Sequence, residues 1–214
     1  MYIPKVHEEN RIEVLHDLID SQSLASLVTM GKSGLFASHL PMVIERGPAQ
    51  QGLLKGHLSR ANQQWRDFLP SVEALAIFSG PQHYITPSWY PEKFETGKVV
   101  PTWNYAVVHA YGYLKVIEDA AWLMDHLKSL TSIHEAVLPQ PWKVSDAPGD
   151  YIESLVKGIV GLELPVERLE GKWKVSRNQP ERNRIGVVKG LERLNTPESL
   201  AMNALVAEEG ERPR

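Results

Sequence analysis

Leu24-Ala25-Ser26-Leu27-Val28-Thr29-Met30, then Gly31-Lys32-Ser33-Gly34, then the run 35–45, is the stretch on which the fold turns. Aliphatic and β-branched residues fill both arms and a polar, glycine-bounded turn joins them, which is the pattern of a β-hairpin. Gly47-Pro48 and Gly52 mark another turn, and 53–58 reads as a third strand, so the three make a meander. Further along, 72–78 predicts a strand closed by Gly80-Pro81, 106–117 another, and 159–169 one interrupted at Pro165. A turn at Glu170-Gly171 then leads to a last strand over 172–175.

Helical spacing of Ile12, Leu15, Leu18 and Ile19 predicts an amphipathic helix over 8–21, with Glu8 and Glu9 at its positive end. Asp119 is placed to cap a helix running to Val137 with Trp122, Leu123, Leu127 and Leu130 on one face. A short helix is expected at 151–157. Pro180 opens another with Ile185, Val188 and Leu191 on its buried side, and a polar helix from 196 frays into Glu208, Glu209 and Glu211. The segment 82–105 is rich in proline, glycine and aromatics, too structured in composition for a plain connector. The expected fold is mainly β with flanking helices (α+β), an antiparallel barrel of roughly six or seven strands. One domain is expected over 1–194, with a polar helical tail over 195–214.

Composition narrows the function classes. With 214 residues, 43% hydrophobic and 23% charged, the chain is of ordinary globular make-up. It has no cysteine, which excludes disulfides, thiolate metal sites and cysteine nucleophiles together. A net charge of −3 argues against a surface that coats nucleic acid. The most apolar stretch, 99–113, is broken by Pro101, Asn104 and His109 and falls short of the roughly 18 residues a spanning helix needs, so no membrane segment is expected. The charged N-terminal region lacks an apolar core, so a cytoplasmic protein is expected.

Several motifs fail on spacing. Gly31-Lys32-Ser33 resembles the end of a phosphate loop, but Ser26 stands where that loop needs its first glycine. His134-Glu135 starts a zinc-helix pattern that Leu138 breaks. His39, His57, His83 and His109 lie in or beside strands without ligand spacing, and no metal is expected. The informative segment is His57-Leu58-Ser59-Arg60-Ala61-Asn62-Gln63-Gln64-Trp65. If Ser59 ends a strand and starts a helix, its hydroxyl, the free N–H groups of the helix start, the Arg60 guanidinium and the Asn62 amide converge as an anion site. The plain alternative is that Ser59 only caps and Arg60 is solvated. Ala37-Ser38-His39-Leu40-Pro41 lies in a neighbouring strand, where Pro41 removes a ladder donor and frees backbone for a flat heterocycle, or simply ends the strand in a bulge. Trp89, Tyr90, Trp103 and Tyr105 offer aromatic surface, either for a ligand or for packing.

Met1-Tyr2-Ile3-Pro4, Ser38-His39-Leu40-Pro41, His57-Leu58-Ser59-Arg60-Ala61-Asn62, Ile85-Thr86-Pro87-Ser88-Trp89-Tyr90, Val100-Pro101-Thr102-Trp103-Asn104-Tyr105-Ala106-Val107-Val108-His109-Ala110 and Gly171-Lys172-Trp173-Lys174-Val175-Ser176 together resemble the PaiB family. The resemblance runs from residue 1 to about Leu191. It implies an FMN-binding split β-barrel, similar to pyridoxamine-phosphate oxidases and flavin reductases, homodimeric with flavin at the dimer interface. Members of that family are described as negative transcriptional regulators. On this basis Ser59, Arg60 and Asn62 would hold the FMN phosphate with His57 and Leu58 alongside, and Ala61 would be among the cofactor-binding residues. Ser38, His39 and Leu40 would border the isoalloxazine, and Trp103 and Asn104 would close the pocket from one subunit or the other. Lys172 and Lys174 would either sit by the ligand or form the solvent face of a strand whose Trp173 and Val175 point inward. Two functions remain open: a flavin-binding regulator, and an FMN-dependent oxidoreductase, since a flavin brings its own redox chemistry. No helix-turn-helix precedes the basic helix bearing Arg182, Arg184, Lys189 and Arg193, so direct DNA binding is doubtful.

Overall fold

Gly34 adopts φ +110°, a conformation open to glycine, and with it the hairpin closes through the two residues Lys32 and Ser33. The computed structural model describes residues 1–47 and 51–211. Pro48 of the expected turn and the side chains of Glu209 and Glu211 lie outside the described residues. In chain order the elements are β1 (Glu8–Glu9), α1 (Ile12–Ser21), β2 (Leu24–Gly31), β3 (Gly34–Glu45), β4 (Leu53–Ser59), α2 (Gln64–Asp67), β5 (Ala74–Ile85), α3 (Glu92–Glu95) and β6 (Thr102–Gly112). They continue with β7 (Lys115–Ile117), α4 (Ala120–Glu135), α5 (Gly149–Val156), β8 (Ile159–Pro165), β9 (Arg168–Lys174), α6 (Glu181–Leu194) and α7 (Pro197–Glu211). The chain divides into two compact units, one of Met1–Leu15, Ser79–Val108 and Glu170–Arg214, the other of His16–Phe78 and His109–Leu169.

In the second unit the strands run in the order β5, β2, β3, β4, β8, β7, all the described pairings antiparallel. Their inward positions, Leu27, Met42, Leu54, Ala76, Phe78, Val160, Leu162 and Leu164, are closed to solvent. The strand β3 changes partner part-way. Residues Gly34 to Pro41 pair with β2, ending at Leu24↔Pro41, and from Met42↔Gly56 onward the described partner is β4. Proline has no N–H to continue a ladder, so the pairing of β3 with β4 stops where Pro41 would face His57. Residues His57, Leu58 and Ser59 of β4 pair on their other side with Gly161, Val160 and Ile159 of β8. The two strands therefore fork.

Helix α4 is capped as expected, with Asp119 Oδ1 accepting from Trp122 N at 2.7 Å. Gly161 in β8 leaves room for this helix: a Cβ there would stand 2.3 Å from the Trp122 ring. The helix α2 is fixed beneath the hairpin by Gln64, fully buried, whose Nε2 donates to Leu27 O at 3.0 Å and Thr29 Oγ1 at 3.1 Å.

In the first unit the order is β1, β9, β6 and the second half of β5. Glu8 and Glu9 were expected to start a helix but form a short strand against Lys172 and Gly171. The buried Glu9 carboxylate explains this, being held by Arg11 Nε at 2.8 Å and Arg177 Nη2 at 3.0 Å. These two guanidiniums hold its carboxyl down at about 2 against the desolvation that would raise it. The basic helix α6 buries Asn183, Val187, Gly190 and Leu191, not the expected Ile185, which is 47% exposed. Gly190 and Gly186 admit Trp89, and α7 packs beside α6 through Met202 and Val206, both closed to solvent.

Among the described residues there are nine strands where roughly six or seven were expected. The expected strand over 106–117 is two, β6 and β7, and β6 begins earlier, at Thr102. Gly80-Pro81 does not end β5, which runs on to Ile85, nor does Glu170-Gly171 form a turn, since β9 passes through it. The break falls instead between Pro165 and Arg168.

Candidate functional site

Where β3 and β4 part at Pro41, the wedge between them is a cavity of about 820 Å³ within the second unit. One wall is Ala37, Ser38, His39, Leu40 and Pro41, the other His57, Leu58, Ser59 and Asn62, with the end of α5 and the start of β8 closing the floor through Leu155, Gly158 and Ile159. That is a size typical of small-molecule sites, which run to roughly 300–1,000 Å³. Sequence reading names seven of these lining residues. It misses the floor, since nothing in Ser154, Leu155, Gly158 or Ile159 carries a chemical signature.

The polar atoms gather at one end. Asn62 Nδ2 donates to Ser38 Oγ at 2.8 Å across the gap, tying the two forked strands together. Asn62 Oδ1 accepts from the N–H of Gln64, the first residue of α2, at 2.9 Å, although the cap position itself is Gln63. The expectation that Ser59 caps a helix is corrected here. Ser59 closes β4, its Oγ accepts from Ala61 N at 3.2 Å and its carbonyl from Asn62 N at 2.9 Å, and the helix that follows is only the four residues of α2. Arg60 N is likewise used, donating to Gly158 O at 2.9 Å. The N–H groups of Arg60, Ala61, Asn62 and Gln64 are thus engaged within the protein, and the donors left for an anion would be side chains: the Ser59 hydroxyl, the second amide proton of Asn62 and Arg60. Arg60 Nη1 donates to Glu118 Oε2 at 2.6 Å, and the guanidinium lies 5.8 Å from the Trp65 ring.

At the wall, the exposed His39 bonds Ser26 Oγ through Nδ1 at 3.0 Å. His57 is half-buried, and its Nδ1 lies 3.1 Å from Nε2 of His126, a residue of α4 absent from the expected site. His126 is 4% exposed and stacks on Trp122 at 5.3 Å with the planes 20° apart. Burial, the neighbouring His57 and then Lys55 push its imidazole down to about 4, and burial lowers His57 as well. A polar side chain four residues after Trp122 on the apolar face of a helix was the available signal.

The remaining expected residues are held within the first unit. Asn104 is buried with Nδ2 donating to Ser176 Oγ at 2.9 Å, while Trp103 is 49% exposed, its Nε1 donating to Gln82 Oε1 at 3.1 Å. Lys174 Nζ donates to Thr102 Oγ1 at 2.7 Å, and Lys172 Nζ to Tyr2 O at 3.1 Å with the Tyr105 ring 5.3 Å away. Both lysines are half-buried, alternating with Trp173 and Val175, which are buried. The cavity lining is drawn from the second unit alone.

The family model described as "Putative FMN-binding domain" matches residues 1–168. The chain belongs to this family. FMN is the cofactor that family takes. A protein of Emericella nidulans is 35% identical over 246 residues, covering 99% of this chain and 98% of its own length. The protease synthase and sporulation protein PAI 2 of Bacillus subtilis is 30% identical over 206 residues and 96% of each chain, which bears out the resemblance to the PaiB family. Among solved structures, the flavocytochrome Anf3 of Azotobacter vinelandii superposes with a TM-score of 0.56 at 13% identity, over 80% of this chain and 72% of that one. The fold is that of the flavin-binding split barrels, mostly antiparallel sheet with flanking helices. No helix among the described residues is long and apolar enough to cross a membrane.

The cavity suits FMN in its chemistry. Its apolar stretch, Ala37, Leu40, Leu58 and Ile159, is what a flat ring system needs, and the hydroxyls of Ser38 and Ser59 with the amide of Asn62 line one end, where a phosphate would be met.

Proposed function

We propose that this protein is an FMN-binding regulatory protein of the PaiB kind that holds the flavin in the fork between β3 and β4. The observation that carries the reading is the partner change at Pro41, which opens a cavity whose polar end is Ser38, Ser59 and Asn62. The phosphate would take Arg60 from Glu118, and Ser38, His39 and Leu40 would lie along the ring. Titration of purified protein with FMN and with riboflavin, read by flavin fluorescence, tests this. Binding of FMN with a clear preference over riboflavin supports it, and no binding of either overturns it.

A homodimer belongs to the reading. In β3 the residues Leu35, Phe36, Ala37 and His39 are exposed, with Leu35 at 75%, and Leu24 of β2 is exposed beside its partner strand. Apolar strand surface of that kind is normally covered. Trp103 and Lys172, both with accessible surface, would meet the ligand in such an assembly. Any effect on transcription would then be indirect, through flavin state or a protein partner. The basic residues of α6 are few, and specific DNA binding draws on several phosphate contacts. A specific dissociation constant near 10⁻⁸ M for duplex DNA at 150 mM salt would overturn that part.

A second reading, FMN-dependent oxidoreductase, is favoured by one observation: His57 stands in the cavity wall with an imidazole nitrogen that has no hydrogen-bond partner among the described residues. Oxidation of NAD(P)H by the FMN-loaded protein, absent without FMN, would support it.

A further inference from the structure

The second unit holds another cavity, of about 490 Å³, lined by Val43, Ile44, Glu45, Lys55, Trp122, Asp125, His126, Ser129 and Ile133. Its wall and that of the fork share a boundary made of two imidazoles. His57 lines the fork and His126 lines the second cavity, and their Nδ1 and Nε2 atoms are 3.1 Å apart. We propose that His57 and His126 form a proton relay between the two cavities, through which the flavin site exchanges protons with solvent. This rests on the reading that FMN occupies the fork.

The geometry suits transfer. The rings meet edge to face, with centroids 5.3 Å apart at 69°, so a nitrogen of each points at the other. The His126 ring is held rather than free: it is stacked on Trp122, whose Nε1 donates to Glu163 Oε1 at 2.8 Å. A relay of neutral imidazoles needs one proton on each ring and a bare nitrogen to receive the next. Both histidines are of this kind at neutral pH, because burial disfavours their charged forms. The charged groups that face the pair are Lys55, paired with Glu45 across the second cavity, together with Asp125 of α4 and Glu163 of β8. A ligand filling the fork covers the open side of His57, and His126 is then its remaining proton partner.

In the starting tautomers each ring carries its proton on Nε2, and His126 Nε2–H donates to His57 Nδ1. When the ligand in the fork takes two electrons from an outer-sphere donor, His57 gives it the Nε2 proton and accepts at Nδ1 the proton of His126. His126 takes a proton at Nδ1 from water in the second cavity. Both rings end neutral in the other tautomer, with one proton drawn from solvent, and reoxidation of the ligand to an external electron acceptor returns that proton along the same path. His57 is the group that touches the ligand, and His126 is a positioning residue that reloads it.

The test is stopped-flow reduction of the FMN-loaded protein by reduced methyl viologen, an electron donor that brings no proton, with proton uptake followed by a pH indicator in weak buffer. In His126→Gln, FMN affinity should stay within about twofold while proton uptake slows about tenfold or more, less than the roughly 10²–10⁴-fold a direct acid or base supplies because His126 acts through His57. Added imidazole should restore the rate. Equal rates in both proteins, with affinity unchanged, overturn the relay. Trp122→Phe, which keeps the imidazole but removes the tether to Glu163, should slow uptake by a smaller factor and serves if His126→Gln does not fold. If the wild-type protein takes up no FMN, the functional reading fails, and the pair is then judged on the apoprotein by histidine NMR titration. There, His57→Gln should raise the pKa of His126 by removing its neighbour, and an unmoved His126 titration overturns the pairing.

Discussion

Arg60, the residue that follows β4, reaches Glu118, Nη1 to Oε2 at 2.6 Å, so the guanidinium next in sequence to Ser59 is already engaged by a carboxylate. Both side chains are partly exposed, and such pairs are worth little, about 0–1 kcal/mol, so a phosphate dianion can win the guanidinium. Two substitutions should therefore move FMN affinity in opposite directions. Arg60→Ala should weaken FMN by about 1.5–3 kcal/mol, and Glu118→Gln should tighten it by up to about 1 kcal/mol. Riboflavin, without the phosphate, should respond to neither, which fluorescence titration of both ligands checks.

The buried Glu9 gives the first unit an acid limit. Its folded carboxyl is held at about 2 against 4.5 for the free group, so the fold gains stability that is fully present above pH 4.5 and fades as pH falls toward 2. The 2.5-unit difference sets an upper scale of about 3 kcal/mol. Glu9→Gln should cost a comparable amount at pH 7, because Arg11 and Arg177 lose their shared acceptor, and the gap between variant and wild type should close as pH approaches 2. Denaturant unfolding at a series of pH values measures this.

His126 works in the same direction from a different cause. Burial first, then His57 and Lys55, depress its imidazole to about 4 from 6.5, so the unfolded chain takes up a proton earlier than the folded one as pH falls. Stability is full above pH 6.5 and declines between 6.5 and 4, by at most about 3 kcal/mol. In His126→Gln that portion of the acid sensitivity should vanish, leaving a flatter profile from pH 7 to 4.5.

Gly161→Ala tests the seat of α4. The added Cβ would stand 2.3 Å from Cζ3 of Trp122, so the ring must shift from its place over His126 and its bond to Glu163. Overpacking of this kind costs typically about 1–3 kcal/mol. The expected result is a lowered unfolding midpoint and a changed tryptophan emission, while Gly149→Ala, in open space, should show neither.

The hairpin was legible because Gly31-Lys32-Ser33-Gly34 leaves a chain little choice but to reverse, and the capping of α4 because Asp119 precedes an apolar stripe. Pro41 was read as an irregularity, but that it parts two strands depends on which neighbours β3 acquires, a tertiary fact. Gly80-Pro81 misled for a related reason. The described pairing of β5 with β2 ends at Ile77, so Pro81 interrupts no bond on that side and the strand runs on. Ser59 carried a capping residue's chemistry, yet its hydroxyl accepts from Ala61 N in the turn, and it is Asn62 whose side chain holds the first N–H of the helix. His126 offered one signal, a polar side chain on an apolar helix face, but its partner lies 69 residues away in sequence, on a strand, and no local pattern joins the two.

Because the cavity opens where a ladder loses a donor, its existence is a property of main-chain pairing and not of the residues that line it. Ala37, Leu40, Leu58 and Ile159 can each be exchanged for another apolar residue without closing the fork, since none of them makes it. Selection acting on the lining is thereby uncoupled from selection acting on the scaffold. A single proline keeps the vessel, and the contents are free to diverge.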